Sequence, residues 1–76
     1  MTLGVRMKVV VVVNGEAREL AAERPTVAEL VAELGLANQR VAVEVNRRLV
    51  TRATWGEAVL GEGDVIEIVQ FVGGGA

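Results

Sequence analysis

The sequence contains no cysteine, histidine, serine or tyrosine. Without cysteine and histidine, the usual protein ligands of zinc, haem iron and iron–sulfur clusters are missing, so we expect no metal site of these kinds. The same absences exclude a Ser–His or Cys–His nucleophile pair, and they exclude disulfide bonds, which fits a reduced cytoplasm. Nine glutamates and one aspartate are scattered along the chain. The composition therefore predicts a cytoplasmic protein that is not an enzyme and that binds no cofactor of its own.

Aromatic residues are scarce as well, since Trp55 and Phe71 are the only two, and the net charge is −2 at neutral pH. Binding to nucleic acid calls for a basic patch and usually for stacking aromatic side chains, so nucleic acid is not an expected partner. Arg47, Arg48 and Arg52 form one basic cluster, which we interpret as a solvated turn. No apolar run approaches the about 20 residues of a membrane span, so we expect no membrane partner either.

The 76 residues suffice for one small domain. We expect residues 1–6, which precede a second methionine at position 7, to be a disordered N-terminal extension. Residues 7–72 are predicted to form the domain. Residues 73–76 contain three glycines, which have no Cβ atoms to pack, and they are predicted to form a flexible tail.

The first half of the chain predicts a hairpin. Five consecutive valines in the segment 8–13 favour a strand, and because they do not alternate with polar residues we expect burial on both faces and a central position. Asn14-Gly15 is typical of a two-residue hairpin turn, since both residues tolerate a positive φ. The shorter and more polar segment 16–20 is then predicted to return as an edge strand.

A helix is predicted from Val27 to Leu34. Thr26 can serve as its N-cap, and Glu29 completes a capping box. Gly35 is placed for a left-handed C-cap, with Leu36 next to it for a hydrophobic contact. The apolar stripe that would face a sheet consists of Val27, Leu30, Val31 and Leu34.

The second half predicts further strands at 41–45, 49–50 and 64–69. The segment 51–60 is expected to be irregular, with Trp55 as a plug over one end of the core. The first and last strands are the expected central pair, and the helical crossover between them makes that pair parallel. The predicted fold class is therefore α+β: a β-grasp, or ubiquitin-like, roll with one helix packed on a mixed four- to five-stranded sheet.

The last strand also predicts a partner-binding surface. If Ile66 and Ile68 face the helix, alternation places Val65, Glu67 and Val69 on the opposite face. Phe71 and Val72 lie beyond them in sequence. We therefore predict that partners bind the group Val65, Glu67, Val69, Phe71 and Val72.

These features, in this order and at this length, resemble the ThiS family of sulfur carrier proteins of thiamin biosynthesis from residue 7 onward. The resemblance includes the Asn14-Gly15 hairpin and the helix start at 26–30, and also Arg52 with Trp55. Its most specific stretch is Gly63-Asp64-Val65-Ile66-Glu67-Ile68-Val69 running into Phe71-Val72-Gly73-Gly74-Gly75.

The resemblance implies that sulfur is attached at the C-terminal tail, Gly73, Gly74 and Gly75. An E1-like adenylyltransferase would use ATP to adenylate the terminal glycine, and a sulfur-donor desulfurase is a further implied partner. The resulting thiocarboxylate would give its sulfur to thiazole synthase. Ala76 departs from the family, whose members usually end in glycine. We expect a C-terminal peptidase to remove it; the alternatives are an activating enzyme that accepts alanine, or a terminal residue that is not native.

Other functions stay open at this point. The small subunit of molybdopterin synthase has the same predicted fold and a glycine-ending tail. Sulfur carriers for tRNA thiolation or for protein conjugation are related alternatives. A non-catalytic β-grasp interaction module with an inert tail is an alternative from a different class.

Overall fold

The computed structural model describes residues 8–21 and 23–71. These residues form strands β1 (Val9–Val13) and β2 (Glu16–Leu20), helix α1 (Val27–Glu33), strands β3 (Val41–Val45) and β4 (Arg48–Val50), a 3-10 helix (Arg52–Glu57) and strand β5 (Val65–Gln70). The predicted extension at 1–6 and the predicted tail at 73–76 lie outside the described residues.

The strands form one mixed sheet in the order β2-β1-β5-β3-β4. β1 and β5 pair in parallel, and β2, β3 and β4 join by antiparallel pairing. β2 is an edge strand, as predicted, and β5 lies at the centre. The sheet therefore has the five strands and the parallel central pair of the predicted β-grasp roll.

Two hairpin turns have the backbone geometry of type I′ turns, in which both central residues have a positive φ. Asn14 and Gly15 join β1 to β2 with φ of 50° and 86°. Asn46 and Arg47 join β3 to β4 with φ of 52° and 72°. The first turn follows the predicted Asn-Gly preference, whereas the second places an arginine where glycine would be unstrained.

Helix α1 begins and ends where its capping residues predict. The amide of Glu29 donates to Oγ1 of Thr26, and the amide of Thr26 donates to Oε1 of Glu29, each at 3.2 Å. At the other end Gly35 has φ 77°, its amide donates to the Ala32 carbonyl, and the Leu36 amide donates to the Val31 carbonyl. These two bonds form a Schellman motif.

The core lies between α1 and one face of the sheet. Leu30 is only 1% exposed, in agreement with the predicted apolar stripe, and Leu34 is half-buried as the C-cap residue. The buried hydrophobic residues are Val11, Val13, Leu20, Val27, Leu30, Val31, Val43, Trp55, Leu60, Ile66 and Ile68.

Two predictions need correction. The prediction that β1 is buried on both faces was wrong. Val11 and Val13 are buried, but Val10 and Val12 are only half-buried, because the described residues cover one face of the sheet. The segment 51–60 is not irregular throughout, because residues 52–57 form the 3-10 helix. Trp55 is buried there as the predicted plug, and its Nε1 donates to the Val50 carbonyl at 3.0 Å.

Candidate functional site

The sheet face opposite α1 is the candidate site, and we call it the open face. The residues of the open face follow from the alternation of side chains along each strand and from the strand register. They are Val10, Val12, Ala17, Glu19, Ala42, Glu44, Leu49, Val65, Glu67 and Val69.

Strand β5 brings three predicted site residues together on this face. Val65, Glu67 and Val69 are exposed, and Val65 and Val69 keep 44% and 55% of their accessible surface, whereas Ile66 and Ile68 between them are buried. Large exposed valines on one strand are the feature expected of a protein-binding surface. Their role in partner binding stays a prediction.

Phe71 follows β5 with the same parity as Val69, and its side chain is 56% exposed. Its amide donates to the Arg40 carbonyl at 2.9 Å, which fixes the backbone at the point where the tail begins. The other predicted site residues, Val72, Gly73, Gly74, Gly75 and Ala76, lie outside the described residues.

Asn14 contributes to the site in a way that the sequence analysis missed. The Ile68 amide donates to Oδ1 of Asn14 at 2.8 Å, and Nδ2 of Asn14 donates to the Ile68 carbonyl at 3.2 Å. The backbones of β1 and β5 pair in parallel at Val12 and Val13. The Asn14 side chain continues that pairing where the backbone of β1 turns away. An Asn-Gly turn signal identifies the turn but carries no information about this contact.

Asn46 holds the beginning of β5 in a similar way. The Val65 amide donates to Oδ1 of Asn46 at 3.0 Å, and Nδ2 of Asn46 donates to Oδ1 of Asp64 at 3.0 Å. The Asn46 amide also donates to the Val65 carbonyl at 2.7 Å. Together the two asparagines fix the strand that carries the exposed valines.

Arg52 holds the segment next to the start of the tail. Its guanidinium donates to the Ala37 carbonyl at 3.1 Å and to the Gln39 carbonyl at 2.6 Å. It also stacks on Trp55, with Cζ 4.3 Å from the ring centroid, which is a cation–π geometry. The predicted basic cluster therefore contains one structural arginine, and Arg52 is not simply part of a solvated turn.

Two other features, a metal-binding cluster and a membrane-spanning helix, are absent from the residues that the structure describes. Within 8–21 and 23–71, no group of three or more acidic, cysteine or histidine side chains could hold a metal ion. In the same part of the chain, no helix is long and apolar enough to cross a membrane.

Curated relatives fall into two kinds. The chain is 39% identical over 62 residues to the sulfur carrier protein ThiS of Bacillus subtilis, covering 82% of this chain and 94% of that protein. It is also 42% identical over 65 residues to a thiazole synthase of Paramagnetospirillum magneticum and 49% identical over 63 residues to one of Magnetococcus marinus. These matches cover 86% and 82% of this chain, which spans about a fifth of either thiazole synthase (20% and 19%).

Solved structures agree with the fold. The crystal structure of the thiamine biosynthesis protein ThiS from Geobacter metallireducens superposes with a TM-score of 0.73 at 32% identity, covering 87% of this chain and 99% of that one. The family model described as ThiS family matches residues 11–75, which include most of the sheet, the helix and the glycines of the tail. The chain therefore belongs to the ThiS family.

Proposed function

We propose that this protein is a sulfur carrier of thiamin biosynthesis, with the sulfur carried as a thiocarboxylate at the C-terminal glycine. The observation that carries the proposal is the family match, which extends through the glycines at 73–75. The sequence has no cysteine, so a persulfide on a side chain is not available. A carboxylate can carry sulfur as a thiocarboxylate, and the carboxylate at the end of the glycine tail is the one that a confined active site can reach without a side chain in the way.

The chemistry belongs to the partner enzymes. An E1-like adenylyltransferase joins the glycine carboxylate to the AMP part of ATP and releases pyrophosphate. A persulfide supplied through a desulfurase then attacks the carbonyl carbon; a C–S bond forms and the C–O bond to AMP breaks. A thiol reductant cleaves the remaining S–S bond and leaves the thiocarboxylate. The carrier contributes a tail without side chains, which can enter a confined active site, and a domain that the partners recognise.

The open face suits that second task because it is continuous with the start of the tail. Val65, Glu67 and Val69 lie on β5, and Phe71 is anchored to Arg40 directly after it. A partner that binds these side chains therefore places the following residues at a defined position. Docking of a domain raises the effective concentration of an attached tail at the partner's active site.

Thiazole synthase is the proposed sulfur acceptor. Two thiazole synthases contain a segment that resembles this chain over about a fifth of their length (20% and 19%). A carrier-like segment within the same polypeptide as the synthase supports a working pair. We extend that pairing to this chain.

Activation is tested by intact mass. Protein ending at Gly75 is incubated with an E1-like enzyme, ATP and a sulfur donor, and the expected product is heavier by the difference between sulfur and oxygen. A variant that lacks residues 74–76 is the control and should neither gain mass nor lose thermal stability. Carrier activity in that deletion variant would contradict the assignment, and an unmodified protein ending at Gly75 would favour the inert interaction module.

Ala76 is tested in the same assay. The family match ends at Gly75 and does not include Ala76. We propose that a peptidase removes Ala76 before activation, because its methyl group would enter a site that accepts glycine. Protein ending at Gly75 should be converted much faster than protein ending at Ala76. Equal rates would show that alanine is tolerated and that no processing step is required.

Docking is tested by substitutions on the open face. Val69→Asp and Phe71→Ala should weaken binding to thiazole synthase without unfolding the domain, since both side chains are more than half exposed. Val59→Asp is a matched control, because Val59 is 43% exposed but does not lie on the open face. Wild-type affinity in both test variants, measured by calorimetry, would contradict docking through this face.

A further inference from the structure

Two glutamates face each other at the centre of the open face. Glu44 of β3 and Glu67 of β5 are direct partners in the antiparallel register. Side chains at paired positions lie on the same face, with Cβ atoms about 4.5–5.5 Å apart. Both side chains are exposed. Like charges placed directly opposite each other destabilise a sheet.

Neither carboxylate has a counter-ion among the described residues. The described ion pairs join Lys8 to Glu19 and Arg18 to Glu33 and do not include Glu44 or Glu67. Arg47 lies on the rim of the same shallow depression, which is lined by Glu44, Asn46, Arg47, Val65 and Glu67. Its side chain makes no ion pair with either glutamate.

Apolar side chains surround the acidic pair. Val65 and Val69 lie two positions before and after Glu67 on the same face of β5. Leu49 is the direct partner of Glu44 on its other side and is 66% exposed. Two carboxylates within a rim of large apolar side chains form a surface that would be costly to dehydrate against a purely apolar partner.

We propose that the Glu44–Glu67 pair receives an arginine or lysine side chain of thiazole synthase, while Leu49, Val65 and Val69 pack against apolar side chains around that cation. The inference rests on the proposed function and names the chemistry of the partner surface. A cation between the two carboxylates removes their mutual repulsion and makes charge-assisted hydrogen bonds. The apolar rim excludes water from these bonds, which is the usual arrangement around an arginine that dominates an interface.

The test compares a Glu44→Gln/Glu67→Gln double variant with the wild type for binding to purified thiazole synthase. Glutamine preserves the shape of the side chain and removes the charge. The expected dissociation constant rises by about tenfold or more, and its dependence on salt concentration becomes weaker. Glu57→Gln is the matched control: Glu57 is exposed at the end of the 3-10 helix, away from the open face, and its variant should bind like the wild type.

Thermal unfolding provides a second measurement. If the two glutamates only stabilised the fold, replacing them would lower the melting temperature. Removing the like-charge contact should raise the melting temperature of the double variant by about 1–8 °C. A lower melting temperature would show that the pair is already neutralised within the domain, for example by Arg47, and would overturn the proposal.

The binding outcomes separate this inference from the proposed function. If the wild type binds the synthase and the double variant binds equally well, the cation-binding role is wrong and the carrier function stands. If the wild type does not bind the synthase and protein ending at Gly75 gains no sulfur in the mass assay, the proposed function and this inference both fail.

Discussion

The Asn14 side chain should contribute more to the free energy of unfolding than its exposed position suggests. It makes two hydrogen bonds to the backbone of Ile68, a residue that is only 8% exposed. Asn14→Gly removes both bonds and keeps the positive φ without strain, and it adds only the greater backbone entropy that glycine has in the unfolded chain. The net contribution of one hydrogen bond to stability is about 0.5–1.5 kcal/mol, which gives about 1–3 kcal/mol for the two bonds.

Solvent exposure and backbone strain both affect the loss of stability at this position. Asn14 is exposed, so water can replace part of the lost bonding, and we expect about 1–2 kcal/mol, in the lower half of the range. Asn14→Ala should cost about 1 kcal/mol more than Asn14→Gly, because alanine at φ 50° adds left-handed strain to the lost bonds. The order of stability should therefore be wild type, then glycine, then alanine.

Urea unfolding measures these differences, provided that the slope of the free energy against denaturant is unchanged. In a domain of this size, each kcal/mol should also lower the melting temperature by about 4–8 °C. Native-state hydrogen exchange gives a local readout, since the Ile68 amide should lose protection in Asn14→Gly. If that variant unfolds within about 0.3 kcal/mol of the wild type and the Ile68 amide stays protected, the side chain does not hold β5.

Two other substitutions test the fold. Leu30→Ala should destabilise the domain by about 2–5 kcal/mol in urea unfolding, because Leu30 is almost fully buried between α1 and the sheet; a cost below about 1 kcal/mol would contradict its place in the core. Arg47→Gly should raise stability by about 0.5–1 kcal/mol, since arginine at φ 72° is strained and glycine is not. A lower melting temperature for Arg47→Gly would show that the arginine side chain stabilises the turn by more than its strain.

Most of the features that were predicted correctly depend on neighbours in sequence. Asn14-Gly15 determines its own turn, and Thr26 with Glu29 caps the helix from three residues away. The alternation of Ile66 and Ile68 with exposed residues needs only the period of a strand. Each of these signals is local, so the elements and their buried faces could be derived from the chain alone.

The features that were missed depend on contacts distant in sequence. Asn14 and Ile68 are 54 positions apart, and no local pattern indicates that a turn residue will bind the backbone of the last strand. The pairing of Glu44 with Glu67 requires the exact register of β3 and β5, which a prediction of strand order does not supply. The five valines of β1 were misinterpreted because their pattern does not reveal how many layers cover the sheet.

The arrangement of these distant contacts supports the proposed role of β5 in partner recognition. Asn46 holds its first residue, Asn14 holds Ile68 near its end, and the Arg40 carbonyl holds Phe71 directly after it. Side chains on a strand fixed at these points need little reordering when a partner binds, which lowers the entropic cost of docking. Side-chain bonds from two asparagines and one backbone bond from Arg40 therefore hold β5 and Phe71, which carry the side chains of the proposed docking surface.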